Sequence, residues 1–122
     1  MARSTTIVLQ HSIAEELPWE AFAHHVDARE RVLWIEGQAR AALLHLQPGA
    51  SIESHKHRRA AHHVWVVSGG CMFDGHHLRA GSYAHVPAGV EHGARAGIEG
   101  CTLFYLILPD EAAEGGKTDG CS

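Results

Sequence analysis

Four histidines are spaced so that they can hold one metal ion. His55 and His57 are separated by one residue, His62 follows after four more, and His92 comes from a later stretch of the chain. Residues two apart on a strand point to the same face, so His55 and His57 would present both rings on one side. Arg58-Arg59-Ala60-Ala61 is long enough for a tight loop and the start of a new strand, on which Val64 and Val66 would share the face of His62. Pro87-Ala88-Gly89 makes a turn that can present His92 from a distant strand. Imidazole is a borderline ligand, and four converging rings suit Zn, Fe, Cu or Ni. The chain has 12 histidines among 122 residues, and histidine is the side chain that most often binds such metals near neutral pH.

The elements that would carry these rings are short. From Arg31 onward, apolar runs (Arg31–Glu36, Ala39–Leu46, His62–Ser68, Ser82–Val86, Thr102–Leu108) alternate with turn signals. Gln47-Pro48-Gly49, Ser68-Gly69-Gly70, Asp74-Gly75, Ala80-Gly81 and Pro87-Ala88-Gly89 are those signals. Short strands with turns at close intervals predict an all-β barrel or sandwich. Upstream, Thr5–Gln10 reads as an edge strand, and Ser12–Glu16 as a capped helical turn that Pro18 ends. The length suits one domain, expected over residues 1–110, with a polar, Gly-rich tail over 111–122. A net charge of −4 offers no footprint for nucleic acid or anionic membrane. Cys71, Cys101 and Cys121 have no C-x-x-C spacing, against a disulfide framework or a zinc knuckle. With no signal-peptide run at the N-terminus and no stretch of transmembrane length, a cytoplasmic location is expected.

The block Gly49-x5-His55-x-His57-x4-His62-x6-Gly69 and the block Gly81-x5-Pro87-x-Gly89-x2-His92 resemble the two motifs of the cupin superfamily. Every motif glycine, the proline and three of the histidines are in register. Two positions depart: His62 replaces the motif's glutamate and Ala96 its final asparagine. The flanks, Leu17-Pro18-Trp19, Arg31-Val32-Leu33 and Phe73-Asp74-Gly75 with Leu78 to Tyr83, resemble the small single-domain branch. That branch includes diketone-cleaving dioxygenases and the metal-binding cupin domain of anti-sigma factors. The resemblance implies a single cupin barrel, a double-stranded β-helix of jelly-roll type, that pairs as a homodimer. It also implies one divalent metal ion on His55, His57, His62 and His92, Fe2+ first, Zn2+ next, with Ni2+ and Cu2+ open. His62 has two readings, a fourth ligand or a ring that hydrogen-bonds beside the metal.

The expected function is a mononuclear non-haem dioxygenase-like enzyme acting on a small carbonyl, enol or aromatic molecule. The alternatives are a zinc-dependent cyclase or isomerase, and a non-catalytic module that senses a metal or ligand. Among the other residues, His63 is expected on the exterior and His45 as a satisfied barrel histidine. His76 and His77 are expected to be solvated, and His85 to reach the pocket rim. Cys71 and Cys101 read as small apolar fillers, and Tyr83, Phe104 and Tyr105 as possible cavity walls.

Overall fold

A computed structural model describes residues 6–22, 25–55 and 60–109, with only the backbone of His11, Glu53, Ser54 and His55. A four-residue helix, α1 (His11–Ala14), leads into eight strands: β1 (Glu20–Phe22), β2 (His25–Glu36), β3 (Ala39–Leu46), β4 (Ser51–His55), β5 (Ala60–Phe73), β6 (His76–Arg79), β7 (Tyr83–Val86) and β8 (His92–Pro109). All pairings are antiparallel. The fold is the all-β cupin barrel that the motifs imply. Thr5–Gln10 departs from expectation, because residues 6–10 form no strand. Thr5 and the tail from 111 onward lie outside the described residues.

Two long strands organise the barrel. β5 and β8 pair along their lengths, and the register slips between Val66 and Ser68 and between Gly69 and Cys71. Such bulges bend a sheet, and here they divide the ladder into two halves. In one half β8 is flanked by β3 and β5 by β7; in the other β8 is flanked by β4 and β5 by β6. Gly69 marks the bend. Its φ is 74°, and an added Cβ would run into the carbonyl oxygen of Gly100 on β8, so only glycine lets the strands approach there. The β5–β6 hairpin closes with Phe73 opposite His76. Its two turn residues, Asp74 and Gly75, have φ of 52° and 82°, the doubly positive pattern of a type I′ turn.

The two halves fold face to face over a core that includes Leu44, Leu46, Ile52, Val64, Val66, Phe73 and Leu103. Cys71 and Cys101 are free thiols in that core, as their reading as fillers expects. The N-terminal segment is fastened from outside by Arg31. Its guanidinium donates to the carbonyls of Leu17 (2.9 Å) and Glu15 (3.1 Å) and lies 4.5 Å from the centre of the Trp19 ring. No helix among the described residues is long and apolar enough to cross a membrane.

Candidate metal centre

The face-to-face halves bring His62 and His92 together. His62 is the third residue of β5, where Val64 and Val66 continue its inward face, and all three are buried. His92 opens β8 after the Pro87 turn, directly opposite the backbone of His55 on β4. His62 Nδ1 and His92 Nε2 are 3.0 Å apart, with ring centroids 5.0 Å apart at 77°. The rings are 9% and 6% exposed, so each depends on nearby groups rather than bulk water. Tyr105 meets the edge of the His62 ring at 5.7 Å, and Phe73 lies 5.9 Å from the His92 ring.

Hydrogen bonding orders the tautomers. His92 Nδ1 lies 3.4 Å from the carbonyl oxygen of Val90. A carbonyl only accepts, so Nδ1 carries the proton and Nε2 keeps its lone pair. The lone pair of Nε2 then faces His62 Nδ1. This arrangement fits a divalent ion. Two bonds of about 2.1 Å to one ion span about 3.0 to 3.4 Å between nitrogens at octahedral or tetrahedral angles, and 3.0 Å is the spacing found. A backbone carbonyl on the far nitrogen is also the usual support for a ligating imidazole.

Of the four histidines singled out, these two are in contact. The His55 backbone stands across the ladder from His92; His57 lies outside the described residues. Among the described residues no group of three His, Cys, Asp or Glu side chains converges. The remaining histidines go where strand alternation sends them. His63 points outward, its Nδ1 2.6 Å from the hydroxyl of Tyr83. His45 is half-buried and pairs with Thr102 Oγ1 at 2.9 Å. His76 and His77 are exposed. His85 does not reach the pocket rim. It is paired with His63 in the β5–β7 ladder, which puts it on the outer face, where the two rings stack at 4.7 Å. Burial first, and then the charge of His85, holds the His63 imidazole below its ordinary pKa.

The pair opens onto a cavity of about 130 Å³ lined mainly by apolar groups, among them Phe22, Leu44, Ile52, Phe73 and Ile107. Tyr105 lines it as expected; Tyr83 and Phe104 instead pack against Trp65 on the outer face. At the cavity wall Arg40 Nη2 donates to Glu30 Oε1 at 2.9 Å, and the Tyr105 hydroxyl donates to Glu30 Oε2 at 2.7 Å. Burial, the hydrogen bond to Glu30 and its negative charge push the Tyr105 phenol well above the tyrosine range. Reading the motifs alone misses Glu30 and Arg40. Their signal is phase: Glu30 alternates with Ala28 and Val32, and Arg40 with Ala42, Leu44 and Leu46. A charged residue on the apolar beat of a strand is a buried charge that needs a partner.

Barrel, cavity and facing histidines define a class, the cupins, and the sequence narrows it. The chain belongs to the ChrR cupin-like domain family, whose profile matches residues 9–109. No curated protein is similar enough to count as a relative. Among solved structures, KdgF from Halomonas sp. superposes with a TM-score of 0.73 at 20% identity, over 86% of this chain and 94% of that one. An RmlC-like cupin from Shewanella frigidimarina NCIMB 400 gives 0.70 at 27% identity, over 82% and 91%. The anti-sigma ChrR complex with SigE from Rhodobacter sphaeroides gives 0.65 at 22% identity, over 75% of this chain and 50% of that one.

Proposed function

We propose that the chain is a mononuclear metalloprotein with dioxygenase-like activity on a small carbonyl, enol or aromatic molecule. The observation that carries this reading is the 3.0 Å approach of His62 Nδ1 to His92 Nε2 at the wall of a mainly apolar cavity. His62 and His92 would hold the ion together with His55 and His57, with Fe2+ preferred and Zn2+ next. When bound, the ion would supply Lewis acidity and, if iron, a site for O2 chemistry. The protein does the rest. Val90 holds His92 in the tautomer that offers Nε2, and the apolar walls exclude water and strengthen every polar contact inside. Tyr105 is locked onto Glu30, so its phenol stays protonated and its ring borders the cavity as a fixed wall. A cytoplasmic homodimer acting on a small molecule, away from nucleic acid and membrane, completes the reading.

Metal analysis of protein purified without added metal, followed by anaerobic reconstitution with Fe2+ or Zn2+, tests it. One ion per chain is expected. His92→Ala and His62→Ala should each lower affinity by at least 10- to 100-fold, the range seen when even a supporting partner of a ligand is lost. Failure to bind any of Fe2+, Zn2+, Ni2+ or Cu2+ stoichiometrically would defeat the proposal. Consumption of O2 with a diketone panel favours the dioxygenase. O2-independent conversion on zinc favours a cyclase or isomerase. The family match to ChrR supports a second reading, a metal- or ligand-sensing module, which predicts tight metal binding without turnover.

A further inference from the structure

The Arg40–Glu30–Tyr105 group at the cavity wall is not among the ligands proposed for the metal. Arg40 pairs with Ile107 across β3 and β8, and Ile107 pairs with His62 across β8 and β5. The three residues form one row, and directly paired residues face the same way. Arg40 and His62 are therefore two strands apart, about 10 Å between backbones, with both side chains on the cavity wall.

Arg40 is incompletely satisfied. Its Nη2 is bound to Glu30, but its Nε is buried with no hydrogen-bond partner among the described residues. A buried N–H without an acceptor is costly and needs an explanation. Glu30 cannot supply one by turning, because its other oxygen is held by Tyr105 at 2.7 Å. Glu30 also does not present a bare carboxylate to the cavity: both oxygens are covered by donors. Nε itself is closed off, but the Arg40 side chain is 35% exposed and lines the cavity, so the wall offers an incoming molecule the accessible edge of a guanidinium, a group whose planar fork suits carboxylates.

We infer that the cavity takes a short carboxylic acid carrying a second oxygen function, a keto or enol group. Its carboxylate binds Arg40, and its keto or enol oxygen lies toward His62 and His92. The apolar wall around Leu44, Leu103 and Ile107 encloses the short carbon chain between these ends. The carboxylate end stands on Arg40 alone; the orientation of the keto end rests on the proposed metal site.

Isothermal titration with two matched pairs tests this. Acetoacetate is compared with acetylacetone, and 2-oxobutyrate with 2,3-pentanedione, each pair equal in size and differing in the carboxylate. Both metal-loaded and chelator-stripped protein are used, and metal content is measured in parallel. At least one acid should bind metal-loaded protein tenfold or more tighter than its neutral counterpart. R40Q should weaken that acid by about 10- to 100-fold, the worth of one charge-assisted hydrogen bond, with the diketone and the metal content unchanged. Because losing Arg40 strands the Glu30 charge, the double variant E30Q/R40Q is measured as well and should lose the same preference. Equal binding of acid and diketone, a preference that survives in both variants, or no binding of either acid overturns the inference. An Arg40-dependent preference in protein that takes up no metal supports the inference while defeating the metal reading. Full metal loading with no acid preference does the reverse.

Discussion

Tyr105 shows how one side chain ties the site to stability. Its hydroxyl donates to Glu30, which Arg40 also holds, so a phenol, a carboxylate and a guanidinium from three strands are joined at the cavity wall. Tyr105→Phe keeps the ring against His62 but leaves Glu30 Oε2 without its donor. A loss of about 1–3 kcal/mol is expected in urea unfolding. The alkaline behaviour follows from the raised phenol pKa. Below the ordinary tyrosine range, near pH 10, both folded and unfolded chains keep the proton and nothing is lost. Above it the unfolded chain ionises while the folded chain does not, so stability falls as pH rises. Tyr105→Phe should lack that component of the decline; an identical alkaline slope in the variant would show that Tyr105 is not its source.

At the scale of the elements, the two glycines of β5 and its hairpin make different demands. Gly75 needs its φ of 82° to close the turn, but an added Cβ there meets nothing within 4 Å. Gly75→Ala should cost only the backbone strain, about 1–2 kcal/mol. Gly69 combines a φ of 74° with the Gly100 carbonyl in the space a Cβ would occupy. Gly69→Ala should therefore be clearly more damaging than Gly75→Ala by chemical denaturation. Equal costs would mean that the β5–β8 bend relaxes freely. The bend matters because it turns the half-ladder carrying His92 over the half-ladder carrying His62.

For the whole molecule, the two halves meet at His62 and His92, so an ion held there would clamp the barrel across its open cleft. An ion that binds only the folded state stabilises it by mass action, about 2.7 kcal/mol at a hundredfold excess over Kd. Stripping the metal with a chelator should lower the melting temperature at neutral pH, and restoring Zn2+ or Fe2+ should recover it. Ligand nitrogens must be unprotonated, so the increment should shrink as the solution is acidified. A melting temperature indifferent to chelator would separate any metal from folding.

Spacing alone determined the all-β barrel, the turn at Asp74-Gly75, and the inward face shared by His62, Val64 and Val66, whereas Ser68-Gly69-Gly70, expected as a turn, is a bulge inside β5. Each depends on local geometry: a period of two along a strand, or a backbone angle that only certain residues tolerate. Alternation also placed His63 outside. Only the tertiary structure decided the rest. His85 stands two residues before Pro87 and its turn, yet its register opposite His63 sends it to the outer face. Glu30 and Arg40 enter the site because β2, β3 and β8 lie side by side, a neighbour relation set by long-range pairing. The 3.0 Å meeting of His62 and His92 likewise exists only because a bent ladder folds one half of the barrel over the other, and no local pattern in the sequence encodes that closure.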